Sequence, residues 1–252
     1  MTDPKERFSG RVENYVRYRP GYPRAVLDLL QSECGLTSGS VVADVASGTG
    51  LLAELFLENG NQVYGVEPNT EMRETGERRL DRYDRFTSVA GSAEDTALEA
   101  GSVDFVVVGQ AFHWFDLDAA RAEFVRVLQA GGWVALLWND MREGATPFMG
   151  AYERLIQRYK TEEYKAFDLQ GEVRDFFGPG AFDARSFEHW QAFDLDGLQG
   201  RLLSSSYVPD AEHPGYDAMM QELYEIFSTH EEGGRVAIEY ETLTYYGRLQ
   251  SL

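Results

Sequence analysis

The segment Ser40-Val-Val-Ala-Asp44-Val-Ala-Ser-Gly48-Thr-Gly50 sets a short apolar run directly before two glycines and a helical pattern. A strand that turns through glycines straight into a helix opens a βαβ unit, which commits the chain to an α/β architecture. The rest of the first half repeats the alternation. Strands are expected at 40–44, 62–67, 86–90, 103–109 and 133–138, with helices at 50–59, 70–82 and 117–128. The run Val103-Asp-Phe-Val-Val-Val-Gly109 is nearly all apolar, as a central strand covered on both faces must be. After it, Leu117, Ala120, Phe124, Val127 and Leu128 recur at helical spacing, and Gly131-Gly132 stops that helix.

The second half predicts helices at 147–168, 172–177, 196–204 and 214–229, and strands at 186–194 and 235–248. In the last strand Val236, Ile238 and Tyr240 alternate, then Leu243 and Tyr245 do so in the opposite phase. That slip predicts a bulge near Glu241 and Thr242. The 252 residues fit one doubly wound domain with a mainly parallel sheet. Its ligand belongs at the carboxyl ends of the strands, near the switch point between strands one and four.

Charge narrows the function. Asp and Glu number 42 against 23 Lys and Arg, a net −19. A body this acidic is a poor partner for nucleic-acid backbones or anionic membranes. Only the first 27 residues run the other way, at net +3. The single cysteine, Cys34, rules out a disulfide framework, and with four histidines it argues against a Cys/His zinc site, so no metal is expected. The N-terminus shows no apolar leader, and no apolar run nears the ~20 residues that cross a bilayer, so a cytoplasmic location is expected.

The chemistry centres on the glycine loop. Gly48 and Gly50 let backbone approach a ligand closely, and the helix start offers free N–H groups. Glu67 closes the second strand, where a carboxylate can accept hydrogen bonds from both hydroxyls of a ribose. Gly48-Thr-Gly50-Leu-Leu-Ala53 also fits the dinucleotide pattern G-x-G-x-x-A, which keeps an NAD-linked oxidoreductase open. Asp44, however, stands where a diphosphate would lie and would repel it. A carboxylate there suits a phosphate-free cofactor with cationic groups.

Asp44-Val-Ala-Ser-Gly48-Thr-Gly50 followed by Val66-Glu67-Pro68-Asn69 resembles the class I S-adenosylmethionine-dependent methyltransferases. Ala90-Gly-Ser92-Ala93-Glu94 resembles that family's segment after strand three. Asp104-Phe-Val-Val-Val-Gly-Gln110-Ala111-Phe112-His113-Trp114 resembles its strand-four loop. Tyr15-Val-Arg-Tyr18-Arg19-Pro20-Gly-Tyr22-Pro23 is similar to the opening of the small-molecule subgroup around trans-aconitate methyltransferase. These motifs span residues 8–141 in family order.

The resemblance implies a Rossmann-like seven-stranded sheet whose last strand is antiparallel. It implies S-adenosylmethionine as cofactor, S-adenosylhomocysteine as product and a small-molecule methyl acceptor. By the same likeness Asp44, Ala46, Ser47, Gly48 and Gly50 position the methionine part. Glu67 holds the ribose, with Pro68, Asn69 and Met72 beside it, and Ser92, Ala93 and Glu94 frame the adenine. Gln110, Ala111 and Phe112 flank the sulfonium. Tyr15, Tyr18, Tyr22 and Arg19 are expected to form a lid over cofactor and substrate, with Tyr18 and Arg19 touching the cofactor, unless they belong to a plain capping helix and its Pro-terminated turn. His113 is the expected base, against the plainer reading of His113-Trp114 as a packed aromatic pair. Phe112, Trp114, Phe115, Trp138 and Trp190 are expected in the core more than in the pocket, with Trp138 the best pocket candidate because it ends strand five. Arg11, Arg17 and Arg19 are expected to clamp a carboxylate-bearing acceptor, unless they pair with the chain's own acidic surface. A non-catalytic S-adenosylmethionine-binding protein on the same fold is the other alternative.

The family pattern D-x-G-x-G has glycine where this chain has Ala46. At positive φ an alanine would cost about 1–2 kcal/mol, so the loop is expected to keep Ala46 at ordinary φ, slightly further from the cofactor. Within a single domain, 1–36 is expected as lid, 37–141 as cofactor-binding core and 142–185 as a helical cap. Residues 186–252 would then complete the sheet.

Overall fold

A computed structural model describes residues 12–161, 168–178 and 180–249. Its seven strands are β1 (Val41–Val45), β2 (Gln62–Val66), β3 (Phe86–Val89), β4 (Val103–Gly109), β5 (Leu128–Met141), β6 (Phe182–Phe193) and β7 (Val236–Gly247). They form one sheet in the order β3-β2-β1-β4-β5-β7-β6. Strands β1 to β5 pair in parallel. β7 runs antiparallel to both β5 and β6, as the family resemblance implied.

Alternation along the central strands feeds two separate cores. On one face Val42, Phe105, Val107 and Leu137 pack with α2 (Ala25–Cys34) and α3 (Leu51–Glu58) through Leu27, Leu30, Leu52 and Phe56. On the other face Ala43, Val106, Val108 and Leu136 meet α5 (Leu117–Val127) and α7 (Leu169–Phe177) through Phe124, Val127, Val173 and Phe176. Both faces are covered, so the strands carry almost no polar side chain until they end. α4 (Thr70–Leu80) lies between β2 and β3, capped by the Asn69 side chain, which accepts from the Met72 amide at 3.0 Å.

A third core stands apart from these two. Phe148, Tyr152 and Leu155 of α6 (Pro147–Tyr159) pack with Leu198 and Leu202 of α8 (Leu195–Leu203). Met219, Leu223 and Phe227 of α9 (Tyr216–His230) join them, as do Phe193, Val236, Ile238 and Tyr240 of the β6–β7 ribbon. The register explains how a cap arises from sheet strands. β5 reaches its carboxyl end at Met141, opposite Tyr240, whereas Val236 to Glu239 pair only with β6. The ribbon therefore overshoots the sheet at the carboxyl edge and carries the helices with it.

Two expectations change, and one pocket candidate is excluded. The register of β7 is continuous on both sides, with no bulge at Glu241 and Thr242. Thr242 and Thr244 continue the buried face of Tyr240, and the phase change marks where the strand passes from one covered face to two. The cap is not 142–185: α7 lies under the sheet, its Phe176 ring 5.0 Å from Phe112, while α8 and α9 join α6. Trp138 belongs to the core, its ring 6.0 Å from Phe112.

The cap also holds the N-terminal helix α1 (Val12–Tyr18). The Tyr18 ring lies so close to Gly200 of α8 that a Cβ there would meet ring carbons at 1.9 to 2.5 Å. Gly200→Ala is therefore expected to push Tyr18 off α8 and destabilise the protein by about 1–3 kcal/mol. A lower urea midpoint at unchanged slope, with lost hydrogen-exchange protection in 12–18, is the outcome to measure.

Candidate functional site

The carboxyl edge of the sheet and the underside of the cap enclose a cleft of about 520 Å³, within the usual range for small-molecule pockets. Its floor begins at β1. The Ser47 amide donates to the Val66 carbonyl at 3.1 Å, which carries the β1–β2 ladder past the strand end. To make that bond and still turn into α3, the chain puts Ala46, Gly48 and Gly50 at φ of 57°, 55° and 80°. Ala46 thus takes the left-handed conformation that was expected to be avoided, at a cost of about 1–2 kcal/mol. The added ladder bond is the physical reason.

Glu67 fastens this loop. Its Oε2 accepts from the Gly48 amide and its Oε1 from the Asn69 amide, both at 2.8 Å. A carboxylate has about four acceptor positions, so each oxygen keeps one for a ligand. Burial raises the Glu67 pKa, and the amides of Asn69 and Gly48 oppose the rise. Asp44, one residue before the end of β1, is 1% exposed, and neither carboxylate oxygen has a hydrogen-bond partner. Burial raises its pKa strongly; the nearby Ala53 amide, short of a well-formed hydrogen bond, lowers it, and the charge on Glu67 adds to the rise. The Thr49 hydroxyl is likewise buried without a partner.

The wall comes from β4 and β5. Gln110 follows Gly109 at φ 62°, and its side chain donates to the Asn139 carbonyl at 2.9 Å. The Asn139 amide nitrogen donates to the Gly21 carbonyl at 3.0 Å, and its oxygen accepts from the Thr242 hydroxyl at 2.6 Å. His189 Nε2 lies 3.2 Å from the same oxygen. One side chain thus ties the N-terminal segment to β5, β6 and β7. Tyr22 rests on Gly109, where a Cβ would stand 2.3 Å from its hydroxyl oxygen.

The third side is the loop after β3. Ser92 donates its amide to the Asp95 carbonyl at 2.8 Å, and Glu94 accepts from the Asp116 amide at 3.1 Å. Glu123 on α5 anchors the loop from behind, accepting from the Thr96 amide at 2.8 Å and from Arg126 Nε at 2.6 Å. Arg126 also donates to the Leu98 carbonyl at 2.8 Å. The roof is the cap, with Arg201, Ser206 and Tyr207 facing the cleft.

The cleft brings together most residues singled out in the sequence. Arg19, Asp44, Ala46, Ser47, Gly48, Glu67, Pro68, Asn69 and Met72 line it. So do Ser92, Ala93, Glu94, Gln110, Ala111 and His113. Three do not. Phe112 is fully buried on the far side of its short 3-10 turn (Phe112–Trp114), inside the core. Gly50 shapes the loop from behind as the cap of α3. Tyr18 packs on α8.

The arginine clamp is also redrawn. Arg19 donates to the Ser204 carbonyl at 3.1 Å and holds the N-terminal segment to the cap. Arg17 is exposed, 5.3 Å from the centre of the Tyr18 ring, and Arg11 lies outside the described residues. Asn139, Asp140, Met141, Arg201 and Tyr207 were missed. A signal existed for two of them. Asn139 interrupts an apolar strand near its end, and Arg201 shares a helix face with Leu198 and Leu202.

The Glu123 anchor has a pH signature. Its pKa falls from the usual 4.5 to about 2, chiefly through the Arg126 hydrogen bond and also through Thr96, against burial. A depressed carboxylate adds stability above its unfolded value and loses it as pH falls through the folded one. Stability is therefore expected to drop between pH 4.5 and about 2, and Glu123→Gln to flatten that drop. Urea midpoints across this range check it.

Comparison with known proteins agrees with the geometry. Residues 43–136 match the family described as "Methyltransferase domain". An uncharacterized methyltransferase of Schizosaccharomyces pombe is 26% identical over 223 residues, covering 88% of this chain and 87% of that protein. A protein of Saccharomyces cerevisiae named "Probable S-adenosylmethionine-dependent methyltransferase" is 30% identical over 186 residues, 66% of this chain and 63% of its own. A solved structure named as a candidate type II methyltransferase from Anaeromyxobacter dehalogenans shares the fold. Its TM-score is 0.70 at 23% identity, over 93% of this chain and all of that one. Sheet order, glycine loop and these relatives agree: residues 43–136 match a methyltransferase domain, and the chain is similar in fold and sequence to S-adenosylmethionine-dependent methyltransferases.

Proposed function

We propose that this enzyme methylates a small molecule held between the carboxyl edge of the sheet and the helical cap. The observation that carries the reading is the Asp44 carboxylate, buried at the cleft floor with neither oxygen bonded. A buried carboxylate without a partner is costly unless a ligand brings a cation or donors to it. S-adenosylmethionine, when bound, supplies a methyl group on a sulfonium, and its ammonium is the kind of cation Asp44 lacks. Asp44, Glu67, Glu94 and Asp140 all line the cleft, so a diphosphate would meet carboxylates there. That disfavours the NAD reading.

The roles of the lining residues follow from their places. The loop from Ala46 to Gly48 holds the methionine part beside Asp44. Glu67 offers its two remaining acceptor positions to the ribose hydroxyls, with Pro68, Asn69 and Met72 alongside. Ser92, Ala93 and Glu94 frame the adenine. Gln110 and Ala111 border the reacting centre, with Phe112 supporting them from the core. His113 faces the cleft as the group that takes a proton from a hydroxyl or amine acceptor as its oxygen or nitrogen bonds the methyl carbon. Closure by α8 and the N-terminal segment excludes water and aligns the displacement.

The cleft size and the cap over it support a small acceptor, as does the likeness of 15–23 to the trans-aconitate methyltransferase subgroup. The net charge of −19 disfavours a nucleic-acid acceptor.

Asp44→Asn is expected to raise the melting temperature of the ligand-free protein, because a buried carboxyl group that is costly to ionise is gone. It should also weaken S-adenosylhomocysteine binding ten- to a hundredfold, the worth of about 1.5–3 kcal/mol for a charged hydrogen bond. Calorimetric titration decides, with NAD as the competing ligand. A melting rise with NAD alone would reject the proposal. Once a metabolite pool screened with labelled S-adenosylmethionine yields an acceptor, His113→Asn should lower kcat about a hundredfold. That loss applies to hydroxyl and amine acceptors; an unchanged kcat there would remove His113 as base.

A further inference from the structure

Arg201 is 3% exposed and faces the cleft from α8. Its Nε donates to the Tyr240 hydroxyl at 2.9 Å. Its Nη1 reaches the Ser204 and Ser205 hydroxyls at 3.5 and 3.4 Å. All three partners are neutral. Nη2 makes no hydrogen bond among the described residues, and no carboxylate there forms an ion pair with Arg201. The ionisable groups facing it are the phenols of Tyr240, Tyr152 and Tyr207. Although the chain has 42 acidic residues, this buried guanidinium has no counter-ion among the described residues.

A guanidinium stays charged at any ordinary pH, and a buried charge without a partner is strongly disfavoured. An empty fork arm pointing at a ligand cavity is the arrangement that a planar anion completes. The cleft is also polarised. Carboxylates Asp44, Glu67 and Glu94 come from the sheet loops, whereas Arg201 and Arg19 come from the cap side.

We infer that Arg201 anchors the methyl acceptor, and that the acceptor carries an anionic group, carboxylate or phosphate, that docks on its guanidinium. An anion paired with a guanidinium has its negative charge offset and is a weaker nucleophile than a free one. The docked anion is therefore a handle, and the methyl group goes to a second nucleophilic atom of the acceptor. This inference rests on the reading of the cleft as a methyl-transfer site.

The test is a thermal-shift titration of the full chain with saturating S-adenosylhomocysteine. The probes are succinate, inorganic phosphate and the neutral succinamide at matched ionic strength. At least one anion is expected to raise the melting temperature where succinamide does not. A larger response to succinate assigns a carboxylate handle; a larger response to phosphate assigns a phosphate. Arg201→Lys keeps the charge but loses the fork and should weaken the response about tenfold or more. Arg201→Met should abolish it, whereas a merely structural arginine would leave the anion response of the folded variant intact. If Arg201→Met does not fold, the Arg201→Lys comparison decides. Equal responses to anions and succinamide, or an anion response that survives Arg201→Lys undiminished, would overturn the inference. S-adenosylhomocysteine binding without an anion response sinks this inference and leaves methyl transfer standing. An anion response without that binding rejects the methyl-transfer reading and the acceptor role with it, and leaves only an anion site at Arg201.

Discussion

The central strands are covered on both faces, and everything functional follows from that. Val42, Val45, Phe105, Val106, Val107 and Val108 are buried, so a polar side chain has nowhere to act except where the strands stop. Asp44, Glu67, Gln110 and Asn139 all lie within two residues of the carboxyl ends of β1, β2, β4 and β5. Parallel pairing brings these four ends to one edge. The reversal of strand order between β1 and β4 opens a gap there that loops can line.

Strain and unmet polarity collect at the same edge. Of three non-glycine residues at positive φ among the described residues, Ala46 and Gln110 line the cleft. Each is held by a bond beyond its strand: Ser47 to Val66 in the first case, Gln110 to Leu137 and Asn139 in the second. Conformations that cost free energy persist where surrounding bonds over-determine them, and such places are commonly ligand sites. The buried oxygens of Asp44 and the hydroxyl of Thr49 add polar groups that protein alone leaves unmet. A loop that is locally unfavourable in three ways makes sense as one shaped for something it binds.

Much of this was legible in the residues. Central strands and the glycine loop announce themselves because burial on both faces and left-handed turns leave few residue choices, and the β4 span Val103–Gly109 matched the expectation. The side chains lining the floor were legible because they sit at fixed offsets from strand ends. What escaped depended on contacts between distant segments. The cap could not be assembled from local patterns, since α6, α8 and α9 come from separated stretches of chain and meet in one cluster with the β6–β7 ribbon. Phe112 and Trp138 sit next to pocket residues in sequence but alternate to the core in space. The apparent phase slip in β7 read as a defect because the eye counts apolar residues, while Thr242 and Thr244 fill buried positions too. The left-handed turn at Ala46 is not legible locally, because the ladder bond that holds it involves β2 and not its own loop.

The overshoot of the β6–β7 ribbon has a consequence for how such an enzyme diversifies. The cluster around Tyr152, Leu202 and Phe227 shares no buried residue with the two clusters that flank the sheet. Substitutions on opposite sides of that divide should combine with little interaction energy, as those at separated sites do. The roof can be recarved over generations while the floor keeps its chemistry. A lineage built this way acquires new substrates without relearning how to hold its methyl donor.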